Sequence, residues 1–433
     1  RGGYTPEQRR QIEKGLFEGY LIGVTATNAL ELGVDVGDLE ACVLTGYPGT
    51  IASTWQQAGR AGRGRGSSLA ILVALDNPLD QYLMRNPQYL LDARNEKAIL
   101  DPFNAYILAE HLQCAADEFP ISELDFPLFG PDVARILEVM GESGQMIRGD
   151  RRWYWGGSGK PAPNINIRST GGSAFVITDL ARSGSVLGTA DEAGAFHVLH
   201  EGAVYLHQGE SYVVEKMDIP EKTAYVLARD VDYYTVPRSL TEVKIEDEWN
   251  GRDLGLGKLH FGEITVTTQV TGYWKRRLMT DITLESLDLD LPPRSFSTMA
   301  LWLTLDNPIP AEVVARPLGM EGGIHGLEHS LIGMMPLYAM CDRLDIGGAS
   351  HASHPQTGMP TIFVYDAHPG GVGISEAAYS KADELLIATL EAVAQCPCRE
   401  GCPSCIQSPK CGNNNFPLDK QAAVSLFRYF SGE

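Results

Sequence analysis

Hydrophobic and polar positions follow three different rhythms along this chain. In the first stretch, to about residue 94, short apolar runs stand apart: "LIGVTAT" (21–27), "ACVLTGY" (41–47) and "SLAILVAL" (68–75). Runs of this length predict strands buried on both faces, and their alternation with helical segments predicts a parallel α/β layer. Thr5, Pro6 and Gln8 make a helix-start signature for a helix ending near Gly19, and a second helix is predicted from about Ser53.

From 95 to 160 the period lengthens. "NAYILAEHLQCAADEF" and "PDVARILEVMGE" are amphipathic helices, and "GQMIRGDRRWYW" flanks a Gly-Asp turn as a short hairpin does. Helices followed by such a hairpin predict a winged helix. Its wing is basic and aromatic (Arg148, Arg151, Arg152, Trp153, Tyr154), a composition suited to nucleic acid, although tryptophans packed on a neighbouring domain would give the same pattern. "GGSGKPAPN" (156–164) reads as a linker. It is not a phosphate loop, because Pro161 follows the lysine and Tyr154 holds the place of the first glycine.

The third rhythm, over 165–320, is that of strands: "AFVIT", "GAVYLHQGESYVVEKM", "AYVLARDVDYYTV" and "EITVTTQVTGYW" predict a small barrel or curved sheet with a turn at "HQGES". Within it Trp274, Lys275 and Arg276 of "GYWKRR" could stack on bases and neutralise phosphates, or could guard an edge strand with charge. An apolar helix over 325–345, a strand "TIFVYD", a Gly-rich turn "AHPGGVGIS" and one long helix "EAAYSKADELLIATLEAVAQ" complete the pattern.

Composition narrows the classes. A chain of 433 residues, 44% hydrophobic, has room for roughly two to four domains. It contains no apolar run of about 18 residues, so no membrane span is expected, and its start at "RGGY" reads as the inside of a longer protein. The net charge of −20 argues against a non-specific nucleic-acid coat but permits a channel of local positive charge. Of eight cysteines, Cys42, Cys114 and Cys341 sit in apolar contexts, while five crowd into "CPCREGCPSCIQSPKC". That is a cytoplasmic pattern with one metal site.

Cys402 and Cys405 form a knuckle able to grip one tetrahedral ion. Cys411 is expected to close it, with Cys398 as fourth ligand rather than Cys396, because Pro397 hinders both neighbours from facing one ion. Structural Zn2+ is the expected cofactor, and an iron–sulfur cluster the weaker reading. "HGLEH" matches the inverted zincin pattern, in which His325 and His329 would hold zinc with Glu328 as base and Asp366 or His368 as further ligands. Packed, hydrogen-bonded histidines explain the same residues.

Two further motifs frame the strand "ACVLTGY": "TATNALELGVDVG" before it and "QQAGRAGR" after it. This pair closely resembles motifs V and VI of superfamily-two helicases, carried as Thr27, Gly33 and Asp35, then Gln56, Gly59, Arg60, Gly62 and Arg63. The resemblance implies that Thr27 meets a nucleic-acid phosphate, that Gly33, Asp35 and Gln56 lie near the nucleotide, and that Arg60 and Arg63 are arginine fingers on ATP. A planar, permanently charged guanidinium suits the equatorial charge of phosphoryl transfer. With the winged helix, β-rich region and cysteine cluster, the whole chain is similar to MrfA-type helicases and their Hrq-type relatives.

The resemblance implies an α/β chain with a partial RecA-like second lobe (1–94), a winged helix (95–160) and a β-rich α+β zinc-binding domain (161–433). It further implies ATP-dependent 3′-to-5′ DNA helicase work in repair, on single-stranded or tailed DNA, by a cytoplasmic monomer serving the nucleoid. Walker A and the DExH box are not in the sequence, so ATP and Mg2+ are expected only with an N-terminal RecA-like lobe in cis. A DNA-binding or protein-interaction module without catalysis is the alternative.

Overall fold

The computed structural model describes residues 6–32, 39–62, 67–92, 95–165, 174–182, 184–280, 282–306 and 308–432. Helix α1 (Pro6–Phe17) opens the chain, and the "LIGVTAT" segment after it is exposed and joins no strand, contrary to the expectation from its apolar run. A run of this kind becomes a strand only where sheet partners cover it, and none pairs with it among the described residues. Strand β1 (Ala41–Thr45), helix α2 (Ile51–Ala58) and strand β2 (Leu69–Val73) form a βαβ unit with β1 and β2 parallel. Thr50 caps α2 by accepting from Ser53 N at 2.9 Å, which moves the predicted start forward from Ser53. Helices α3 (Pro78–Arg85) and α4 (Gln88–Leu91) then lead away; Asn77 caps α3 and Pro78 occupies its first turn.

The winged helix comprises α5 (Ala105–Glu118), β3 (Ile121–Ser122), α6 (Phe126–Phe129), α7 (Val133–Glu142), β4 (Met146–Arg148) and β5 (Arg152–Trp155), with strand order β3-β5-β4. Leu108, Leu112, Val133, Leu137, Met146 and Trp153 make its own small core.

The β-rich region is two open sheets, not a barrel. The first holds β6 (Phe175–Asp179), β7 (Ser185–Ala190), β8 (Val204–His207), β9 (Glu210–Asp218) and β10 (Thr223–Ala228) in the order β7-β6-β10-β9-β8, with α8 (Glu192–Val198) between β7 and β8 in sequence. The "HQGES" turn joins β8 to β9, with Gln208 and Gly209 at positive φ. The second is built on a hairpin of β11 (Tyr233–Leu254, 22 residues) and β12 (Gly257–Arg277, 21 residues). Strands β13 (Thr283–Asp288), β14 (Arg294–Thr304), β15 (Ile346–His351) and β16 (Thr361–Asp366) extend it as β11-β12-β14-β16-β15, with β13 also on β12.

Helices α9 (Ala311–Val314), α10 (Gly319–Met334), α11 (Ile374–Ser380), α12 (Ala382–Ala394) and α13 (Lys420–Ser431) complete the chain; the expected single long helix is broken at Lys381. The largest core joins α10, α12 and α13 to the sheet through Leu327, Leu331, Leu385, Leu426, Phe427 and Phe430. Gly323 and Gly326 let α10 approach closely: an added Cβ would lie 2.9 Å and 3.2 Å from the Cβ atoms of Ala422 and Ala423. This packing offsets the weak helix propensity of the glycines. Helix α4 docks on this core, Tyr89 Oη donating to Leu337 O at 2.9 Å.

Candidate metal centre and nucleic-acid surface

The end of α12 turns into Cys396-Pro397-Cys398. A residue before proline is driven into the extended region, and in extended chain residues two apart face the same side. Both thiols therefore meet one point, their Sγ atoms 3.6 Å apart. Cys402 and Cys405 approach from the knuckle: Sγ separations are 3.5 Å for Cys396–Cys402, 3.5 Å for Cys398–Cys405 and 3.8 Å for Cys402–Cys405. Four sulfurs around zinc at about 2.3 Å stand about 3.8 Å apart. The set fits a structural tetrahedral ion. Cys396, set aside on account of Pro397, belongs to the cluster, and the proline is what aims it there.

Burial raises the Cys402 and Cys405 thiols, and four thiolates converging on one point need a compensating cation. Lys420, in the first turn of α13, is 4% exposed and donates to Cys396 O at 2.6 Å and Cys398 O at 2.8 Å. Its ammonium offsets part of the net negative charge of a four-thiolate zinc site. Sequence reading missed it, since "PLDK" distinguishes no buried lysine from a solvated one.

Cys411, expected to close the knuckle, lies elsewhere. The loop after Ile406 carries it to α10, where His325 and His329 stand one turn apart, and the three form a second group whose ligand atoms lie within 4.8 Å of one another. Burial lowers both imidazoles, His329 to about 3, and pushes Glu328 up to about 7. Glu328 packs onto β15, bonded by Ser350. It therefore does not join the histidines as a zincin base would.

Asp366 and His368 are engaged otherwise. The Asp366 carboxylate, fully buried, accepts from the backbone N–H groups of Val372 (2.6 Å), Gly373 (3.0 Å), Ile374 (3.2 Å) and Ser375 (2.7 Å), anchoring the start of α11. Between them runs the "HPGG" turn, where Asn104 donates to Pro369 O at 2.9 Å and Gly371 O at 2.5 Å while capping α5. The motif thus clamps the winged helix to the zinc-bearing core. His368 Nε2 pairs with Asp345 at 3.0 Å, which raises the imidazole and lowers the carboxyl.

On the wing, Arg148, Arg151, Arg152 and Tyr154 are exposed, and Arg152 lies over the Phe119 ring at 5.3 Å. Trp153 is 8% exposed within the winged-helix core, so it cannot stack on bases. Trp274, Lys275 and Arg276 lie on β12, a strand paired on both sides rather than an edge. Trp274 sits between the guanidinium groups of Arg238 and Arg276, Lys275 pairs with Glu285 at 2.8 Å, and Arg276 donates to Asn414. Lys275 and Arg276 are thus engaged within the protein, one across the sheet and one to the loop before α13.

In the βαβ unit, exposed Thr27 precedes a short 3-10 turn (Asn28–Leu30) and makes no side-chain cap there. Glu31 then gathers α2: its carboxylate accepts from Ser53 Oγ at 2.8 Å and Gln57 Nε2 at 2.9 Å, and its carbonyl accepts from the Arg60 guanidinium. The two motifs that the sequence separates are held together by this glutamate. Gln56 is exposed beside them; Gly33, Asp35 and Arg63 lie outside the described residues.

Residues 1–65 match the helicase conserved C-terminal domain, 100–170 the winged helix domain of the ATP-dependent helicase HRQ1, and 327–406 the MrfA Zn-binding domain. The chain is 40% identical over 408 residues to YprA of Bacillus subtilis (strain 168), described as an uncharacterized ATP-dependent helicase, covering 94% of this chain and 54% of that protein. It is 30% identical over 454 residues to the ATP-dependent helicase HRQ1 of Saccharomyces cerevisiae, covering 100% of this chain and 42% of the relative. A crystal structure of the DUF1998 helicase MrfA bound to DNA matches with a TM-score of 0.61 at 38% identity, covering 99% of this chain and 57% of that one. The chain spans about half the length of the proteins it matches.

Proposed function

We propose that this chain, which belongs to the MrfA-type, HRQ1-related superfamily-two helicases and corresponds to their C-terminal part, works as the closing half of an ATP-driven DNA motor. The observation that carries the reading is the Glu31 bridge. It ties the segment that begins at Thr27 to the helix that presents Arg60, so a strand contact and a nucleotide contact move as one body.

In this reading an N-terminal RecA-like lobe in cis binds ATP and Mg2+, and closure brings Arg60 and Arg63 onto the phosphates, where guanidinium charge stabilises the transferring group. Gly33, Asp35 and Gln56 line the nucleotide side of the joint. Thr27 meets a phosphate of single-stranded or single-strand-tailed DNA. Arg151 and Arg152 on the wing engage the DNA backbone, and the four-thiolate zinc holds the core on which the βαβ unit and the winged helix both rest. The protein acts as a cytoplasmic monomer on the nucleoid, moving 3′ to 5′ in DNA repair.

The test is strand separation by a protein of the relatives' full length, on duplexes carrying a single-stranded tail at either the 3′ or the 5′ end. ATP-dependent unwinding of the 3′-tailed duplex supports the reading. Unwinding only from a 5′ tail overturns the polarity, and no unwinding of either overturns the motor.

A further inference from the structure

The four-thiolate cluster leaves over one of the five crowded cysteines, Cys411, and its surroundings are those of a ligand. Cys411 Sγ lies 3.4 Å from His325 Nε2, and His329 completes a group whose ligand atoms all fall within 4.8 Å. The two rings are 4.2 Å apart between centroids. Each imidazole is fixed from behind: His325 Nδ1 lies 2.8 Å from Pro417 O, and His329 Nδ1 lies 2.9 Å from Ile406 O. A carbonyl can only accept, so each Nδ1 carries the proton and each Nε2 keeps its lone pair. That is the tautomer and support that metal-binding histidines require. Asn415 N–H donates to Cys411 Sγ at 3.2 Å, as Cys402 N–H does to Cys405 Sγ at 3.3 Å in the first cluster.

We infer that His325, His329 and Cys411 form a second zinc site, distinct from the four-cysteine centre. Two imidazoles and a thiolate suit zinc in both charge and softness. Among the described residues no fourth protein ligand joins the group, so a tetrahedral ion there keeps one position for water or a small ligand. Its mechanical effect is local. The stretch between Ile406 and α13 has no regular secondary structure, and the ion would staple it to α10.

Two measurements on the full chain, purified from zinc-containing medium, decide the matter. Elemental analysis is expected to give two zinc ions per chain, and X-ray absorption at the zinc edge a first shell mixing sulfur with imidazole nitrogen. Cys411→Ser combined with His329→Ala should lose one of the two ions and leave an all-sulfur shell. One zinc per wild-type chain in an all-sulfur environment overturns the proposal, and so does a double variant that keeps both ions. The wild-type spectrum decides even where the variant fails to fold.

Discussion

At the scale of single residues, the cysteine cluster shows how far a motif can be read and where it misleads. The knuckle of Cys402 and Cys405 was legible from spacing alone. The choice between Cys396 and Cys398 was not, because the restriction that Pro397 places on the preceding residue points both thiols to one side. Lys420 was invisible because burial of a lysine depends on carbonyls supplied from more than twenty positions away. Lys420→Met should weaken zinc binding roughly 10- to 100-fold, read by competition with a chelator. The Asp345–His368 pair yields a titration prediction. His368 is raised above 6.5 by Asp345, so its stabilisation is full below that value and is lost as pH rises through the raised pKa; that of Asp345, lowered from 3.8, is present above 3.8 and is lost as pH falls through its lowered pKa. NMR titration should place the His368 midpoint above 6.5, and Asp345→Asn should lower it.

Elements were legible where their apolar period served a local core and illegible where distant partners decided. The winged helix followed from two amphipathic helices and a Gly-Asp hairpin, but side chains alternate along β5, so Trp153 faces the core while Arg152 and Tyr154 face out. Trp153→Ala should destabilise this unit by about 3–5 kcal/mol. Arg151→Ala with Arg152→Ala should leave it folded, weaken DNA binding, and reduce the salt slope of log K by about 2. Equilibrium binding at several salt concentrations, alongside thermal melts, separates the two effects. The long β11–β12 hairpin does not show as one unit in the sequence because β11 is continuously exposed over 246–251, where Glu246, Asp247 and Glu248 fall in its middle. Its tip is fixed by α13, where Leu256 N–H donates to Tyr429 O at 2.9 Å, a contact no local pattern announces. The "YDAHPGG" turn resembles a ligand set, yet Asp366 holds the start of α11 with both oxygens. Asp366→Asn removes a charged acceptor from buried N–H groups and should cost about 2–3 kcal/mol, read as lost hydrogen-exchange protection at 372–375.

At the scale of the whole molecule, the winged helix and helix α4 are joined to the zinc-bearing core by specific clasps: Asn104 on the "HPGG" turn, and Tyr89 on Leu337 O just after α10. Motifs V and VI were legible because short polar signatures survive independently of packing. Their joining through Glu31 was not, since a glutamate within "NALELG" looks like any exposed acid. The most direct measurement of the central claim is the DNA-stimulated ATPase rate of the protein at its relatives' full length, with and without Arg60→Ala. Arg60→Ala should lose roughly a thousandfold in kcat with DNA binding retained; an unchanged rate would show that Arg60 is no arginine finger.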